Sequence, residues 1–181
     1  VLTTANYEAR KFGCRSAMSS ATAMRLCPEL IMVRPDFSKY TRESRNVRKI
    51  LERFTSQIEP LSLDEAYLDV SQAESATHIA TEIRRLIREE LRLTASAGVA
   101  PNKFLAKIAC EMNKPDGLKV IRPGDVEALM KTLPIEKIWG VGKVTAASMK
   151  AIHSCTSLVG EPDFSWASAS AWVRPERKRV L

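Results

Sequence analysis

The chain has 181 residues, a net charge of +7 and 45% hydrophobic residues. That length holds one domain or two small ones, and the positive balance favours a polyanionic partner, nucleic acid before an anionic membrane. No apolar run is long enough to span a bilayer and no signal-peptide pattern opens the chain. Four cysteines without a Cys-x-x-Cys pair, with only two histidines, argue against a zinc site and suit small buried hydrophobes in a reducing cytosol.

The chain begins Val1-Leu2-Thr3-Thr4 without a methionine, as the middle of a larger protein or a partial one does. Val1–Thr4 reads as the end of a strand, and 6–12 as a short helix stopped by Gly13. Tyr7 and Arg10, three residues apart, share one face of that helix. Ser20 is placed to cap a helix over 21–27, which Pro28 ends. Leu30-Ile31-Met32-Val33 reads as a short strand closed by Arg34-Pro35-Asp36.

A longer helix is predicted over 38–57, with Val47, Ile50, Leu51, Phe54 and Ile58 on the core side. Its arginines and lysines form a solvated face. The next stretch, Leu61-Ser62-Leu63-Asp64-Glu65-Ala66-Tyr67-Leu68-Asp69-Val70, sets two adjacent carboxylates in an apolar, strand-like run. Like charges repel, and desolvation disfavours ionisation. A divalent cation offsets both, and hard cations take carboxylate and phosphate oxygens. An Asp-Glu pair by itself reads more simply as two solvent-facing acids.

After that strand, at about 66–70, a helix over 76–91 keeps Ile79, Ile83, Leu86, Ile87 and Leu91 in register. A strand over 93–100, a helix from Pro101-Asn102 to Met112, a strand over 118–121 and a short helix over 125–133 follow. Alternating elements of these lengths predict a mixed α/β sheet covered by helices. Ile135 to Thr145 then carries Gly140-Val141-Gly142-Lys143 between short helical segments. Such glycines let backbone N–H groups approach a DNA phosphate, although a plain interhelical turn has the same look. It is no nucleotide P-loop, because the first glycine of that motif falls at Lys137. Beyond His153 the pattern degrades, and the Ser/Ala/Trp-rich, basic segment 153–181 is expected to pack poorly.

Several blocks agree with one family. Thr4-Ala5-Asn6-Tyr7-Glu8-Ala9-Arg10-Lys11-Phe12-Gly13, Ser62-Leu63-Asp64-Glu65-Ala66-Tyr67-Leu68-Asp69, Thr94-Ala95-Ser96-Ala97-Gly98-Val99-Ala100, Asn102-Lys103-Phe104-Leu105-Ala106-Lys107-Ile108-Ala109, Asn113-Lys114-Pro115-Asp116-Gly117 and Gly140-Val141-Gly142-Lys143 resemble the Y-family of translesion DNA polymerases, most of all its DinB branch. They keep the family's order over residues 2–152.

The resemblance implies a palm sheet covered by helices over 35–126, small fingers over 1–34, and a partial helical thumb with a helix-hairpin-helix over 127–152. It implies template-directed addition of deoxynucleotides opposite damaged template by two-metal phosphoryl transfer, with two Mg²⁺ ions, dNTP and primer-template DNA as cofactor and partners. By that resemblance Asp64 is a metal ligand. Glu65 lies beside it at the primer end, contributing to the metal site and to activation of the attacking hydroxyl. Tyr7, Arg10 and Thr4 hold the triphosphate, Lys114 reaches it as a point charge, and Gly140, Gly142 and Lys143 meet DNA. Lys103 is a weaker candidate, Ser62 lies near the site, and Tyr67 and Asp69 are structural. Because adjacent residues of a regular strand face opposite ways, 62–65 is expected to turn, so that both carboxylates reach one site.

The family also places a metal-binding Asp and an aromatic steric gate on an N-terminal palm strand, and has a duplex-gripping little-finger domain. Neither has a counterpart in this sequence, and the sliding clamp's usual attachment region is also missing. On that footing the chain alone is expected to be inactive or impaired, to bind DNA weakly, and to leave an exposed edge on its sheet. A non-catalytic DNA- or nucleotide-binding module remains an alternative. Another two-metal nucleotidyl transferase or cyclase would share the acidic strand but not the Tyr7/Arg10 block or the hairpin.

Overall fold

The computed structural model describes residues 1–152 and 170–176; the expectations placed on 153–169 and 177–181 lie outside them. Two compact units divide the chain, one formed by residues 1–43 and the other by 44–176.

In the first unit, helix α1 (Tyr7–Lys11) starts where the Asn6 side-chain oxygen accepts the Ala9 N–H at 2.9 Å. It stops before Gly13, whose φ of +86° glycine adopts without steric cost. Helix α2 (Ser20–Leu26) is capped by Ser19, one residue earlier than the sequence suggests, with its Oγ accepting the Thr22 N–H at 3.1 Å. Leu2, Ala9, Cys14, Ala23 and Cys27 form the small core. Neither predicted strand of this unit forms. Leu2 exchanges two backbone bonds with Ala17 and Met18 but extends no ladder, and Ile31–Val33 is irregular and exposed. A short β-prone run without a neighbouring strand has nowhere to place its backbone bonds except water.

Helix α3 (Phe37–Leu51) runs across the division. It ends six residues before the predicted limit. The N–H groups of Arg53 and Phe54 bond back three residues, to Ile50 and Leu51, which tightens and closes the last turn. Ile58, predicted on the helix face, instead begins strand β1 (Ile58–Pro60) yet still packs against the core. Strand β2 (Ala66–Asp69), helix α4 (Ala76–Leu91), strand β3 (Thr94–Ala100), helix α5 (Lys103–Met112) and strand β4 (Leu118–Val120) lie close to the predicted bounds. Helix α6 (Val126–Thr132), a 3₁₀ turn at Ile135–Lys137 and helix α7 (Lys143–Ile152) follow.

The described sheet has the order β1-β2-β5-β3-β4, where β5 is Ser170–Glu176. It overturns part of the expectation of a poorly packed tail. These seven residues are the central strand, antiparallel to β2 (Tyr67 opposite Trp172) and to β3 (Gly98 opposite Trp172). Local composition hides such a strand, because its stability comes from two ladders that the neighbouring strands supply.

Side chains alternate across the sheet as a pleat requires. Ala66, Leu68, Ala95, Ala97 and Val99 meet Val47, Ile50 and Leu51 of α3 and Ala80, Ile83 and Ile87 of α4. Tyr67 and Ala100 meet Leu105, Ala106, Ala109 and Cys110 of α5 and Val126 of α6 on the other face. There the backbones of α5 and β3 come close: a Cβ on Gly98 would lie 2.0 Å from the Ala106 carbonyl oxygen and 2.4 Å from the Cys110 nitrogen. Gly98→Ala is therefore expected to cost about 3 kcal/mol or more. Gly124→Ala, in open space, should stay within about 0.5 kcal/mol. Urea unfolding of both variants checks this, and equal midpoints would contradict the close approach.

Candidate active site

Residues 61–65 join β1 to β2. The N–H groups of Leu61 and Ser62 both donate to the Glu65 carbonyl, at 2.9 and 3.3 Å, so this segment bends and Asp64 and Glu65 stand just ahead of the strand. Ser62 Oγ donates to Asp64 Oδ1 at 2.9 Å and orients that carboxylate. Both acids border a narrow groove that Arg48 and Leu51 also line. Glu65 alone of the two also reaches a cleft of about 430 Å³, bordered by Lys107, Glu111, Glu136 and Trp139.

Lys107 was not singled out from the sequence. Its ammonium lies 3.4 Å from Glu65 Oε2 and 5.2 Å from the centre of the Trp139 ring. The residue is only 8% exposed, and a buried lysine without a counter-charge would be costly. The available signal was its place inside Leu105–Cys110, a helical run that is otherwise apolar and entirely buried. One turn earlier, Lys103 pairs with Glu59 and lies 5.7 Å from the Tyr67 ring centre. One turn later, Glu111 pairs with Lys114.

Lys114 follows α5 in a loop that other residues hold firmly. Arg84 Nη2 donates to the Asp116 carbonyl at 2.6 Å and Arg84 Nε to the Ala95 carbonyl at 2.8 Å. Arg88 also pairs with Asp116. The Glu111 partner of Lys114 borders the 430 Å³ cleft. In the other unit α1 gathers Thr4, Tyr7 and Arg10. Arg10 donates from Nε to the Ala5 carbonyl at 2.9 Å and from Nη2 to Thr4 Oγ1 at 3.5 Å, and its guanidinium lies 5.1 Å from the Tyr7 ring centre.

At the hairpin, Gly140 has φ +84°, and neither Gly140 nor Gly142 has any atom within 4 Å of where a Cβ would sit. The backbone there is open, and Lys143 begins α7. Asp69 Oδ1 accepts from Ser71 N–H at 2.9 Å and Ser71 Oγ at 2.6 Å, and the Ser71 hydroxyl chiefly holds its carboxyl below the usual range.

The donor set fits a hard cation that takes one or two carboxylates and completes its shell with substrate phosphate oxygens. It does not fit an all-protein cage. Among the described residues no group of three or more His, Cys, Asp or Glu is placed to hold a metal. None of their helices is long and apolar enough to cross a membrane.

Residues 1–111 match the impB/mucB/samB family, and residues 123–153 match the helix-hairpin-helix motif of the same family. The chain is 58% identical over 156 residues to DNA polymerase IV of Shigella flexneri, covering 84% of this chain and 44% of that protein. It is 55% identical over 164 residues to DNA polymerase IV of Pectobacterium atrosepticum, covering 87% and 47%. Among solved structures, an insertion ternary complex of Dbh DNA polymerase aligns with a TM-score of 0.80 at 39% identity, covering 83% of this chain and 45% of that one. DinB from Sulfolobus solfataricus aligns at 0.78 and 39%, covering 83% and 46%. The chain thus spans about half the length of the curated relatives it matches.

Burial first, then the charges of Glu65 and Glu59, push the Tyr67 phenol above its ordinary value. With the folded value above the unfolded one, the folded state keeps its proton longer. This contribution is complete below about pH 10 and is lost as pH rises through the folded value. Glu65→Gln should lower the Tyr67 titration midpoint, read as the 295 nm absorbance difference against Tyr67→Phe. An unmoved midpoint would place the Glu65 charge away from the phenol.

Proposed function

The chain belongs to the impB/mucB/samB family, with the DinB-type Y-family DNA polymerases as its kin, and on that footing we propose that it carries the acidic loop and triphosphate grip of a translesion DNA polymerase. The observation that supports this most is the bent 61–65 loop, which sets Asp64 and Glu65 side by side at a groove. We assign fingers to residues 1–34, palm to 35–126 and a partial thumb to 127–152. A cytosolic setting and a sliding-clamp partner belong to the same reading.

In the proposed reaction a primer 3′ hydroxyl forms a bond to the α-phosphorus of a dNTP, and the bond to pyrophosphate breaks. Asp64, fixed by Ser62, and Glu65 would hold Mg²⁺, two ions in the complete enzyme. Such ions would supply charge at the attacking and leaving oxygens. Glu65 orients the attacking hydroxyl and accepts its proton. Arg10 presents its guanidinium to the triphosphate, with the Nε bond to Ala5 fixing the plane of the fork. Tyr7 and Thr4 add hydroxyls on the same side of α1, and Lys114 adds a compact charge. The open backbone at Gly140 and Gly142, followed by Lys143, receives a DNA phosphate. None of these contacts reads base sequence, which suits synthesis on any template.

The test is primer extension with Mg²⁺ and all four dNTPs. It uses a chimera in which residues 2–152 replace the matching part of the Shigella flexneri polymerase. Extension is expected, reduced about a thousandfold by Glu65→Ala, with the dNTP KM raised about tenfold by Arg10→Ala. Extension indifferent to Glu65→Ala would contradict the assignment. A folded chimera that binds primer-template DNA without extending it would favour a non-catalytic binding module.

A further inference from the structure

The function assigned above uses Asp64, Glu65 and Lys114 but leaves the most deeply buried cation near them without a role. Lys107 and Glu65 are both nearly enclosed, their side chains 10% and 15% exposed, and they meet at 3.4 Å. The same ammonium lies over Trp139, which precedes Gly140 in the hairpin turn. A cation on an aromatic face gains most where water is excluded. Trp139 is itself 65% exposed, so its ring is held from one side and open on the other. Lys107 rides on α5, which the Gly98 approach holds against the sheet. The ammonium thus joins a fixed helix, the acidic loop and the glycine turn.

We infer that Lys107 is a positioning residue: held by the face of Trp139, it fixes the Glu65 carboxylate at the cleft wall and couples the 138–141 turn to the Asp64–Glu65 loop. The role in catalysis rests on the polymerase reading, whereas the coupling does not. Two consequences follow from the geometry. Disturbing Trp139 changes how firmly Glu65 is held, although an indole supplies no metal ligand. A divalent cation approaching Glu65 also meets the Lys107 charge, so the metal affinity of the loop depends on a residue that binds no metal.

Two measurements on the 181-residue chain separate the claims. The first is a double-mutant cycle in urea unfolding between Glu65→Gln and Trp139→Leu, run with Lys107 and again with Lys107→Met. Met retains much of the aliphatic stem and removes the charge. The cycle is expected to show a coupling of about threefold or more in the unfolding constant, abolished in the Lys107→Met background. No coupling, or the same coupling in both backgrounds, would overturn the inference. The second is Mn²⁺ titration by calorimetry. Lys107→Met is expected to tighten Mn²⁺ binding about tenfold, and Lys107→Arg to stay within about twofold of the native chain. Binding abolished by Glu65→Gln yet unmoved by Lys107→Met would reduce Lys107 to a packing residue. A native chain that binds no Mn²⁺ would remove the metal-affinity consequence, and the unfolding cycle alone would then decide the coupling.

Discussion

Helix α5 lies on strand β3 with no side chain between their backbones at Gly98, and most of the candidate site depends on that contact. Packed interiors leave little slack, so a helix held this closely carries its side chains at fixed heights above the sheet. Lys103, Lys107 and Glu111, spaced by four residues, therefore meet Glu59, Glu65 and Lys114 in turn. The first two acids belong to the β1–β2 hairpin, and the last partner begins the loop that Arg84 and Arg88 pin through Asp116. One helix face thus organises the charges of two other chain segments.

The carboxylates are held by different means. Asp64 takes a neutral donor, Ser62, from within its own loop, whereas Glu65 faces an ammonium brought from α5. The ammonium offsets the charge on Glu65, whose side chain is only 15% exposed. That division suits a loop that has to hold two adjacent acids without a protein-only cage. The triphosphate candidates Thr4, Tyr7 and Arg10 follow simpler logic. A helix of five residues, capped by Asn6, brings a hydroxyl, a phenol and a guanidinium together through local geometry alone.

Legibility followed the range of the interactions. Helix α4 was visible because Ile83 and Ile87 repeat with the helical period, and α5 because Asn102 marks its start. The Asp64–Glu65 pair stood out chemically, and the bend at 61–65 was expected because adjacent residues of a regular strand face opposite ways. Strand β5 was not visible, because it is made by β2 and β3, segments about seventy residues or more away along the chain. The end of α3 was misjudged because Phe54 and Ile58 continue the helical period while packing against the same core from a turn and a strand. Lys107 was overlooked because its two partners lie 42 residues before it and in a hairpin 32 residues after it. A lysine inside a buried helical run was the one local sign of them.

The most direct check on the central claim is anomalous diffraction from crystals holding Mn²⁺ and a non-hydrolysable dNTP. The account predicts a manganese peak in bonding contact with carboxylate oxygens of both Asp64 and Glu65, with the triphosphate oxygens completing its shell. A triphosphate bound elsewhere, or manganese that bypasses both acids, would contradict it.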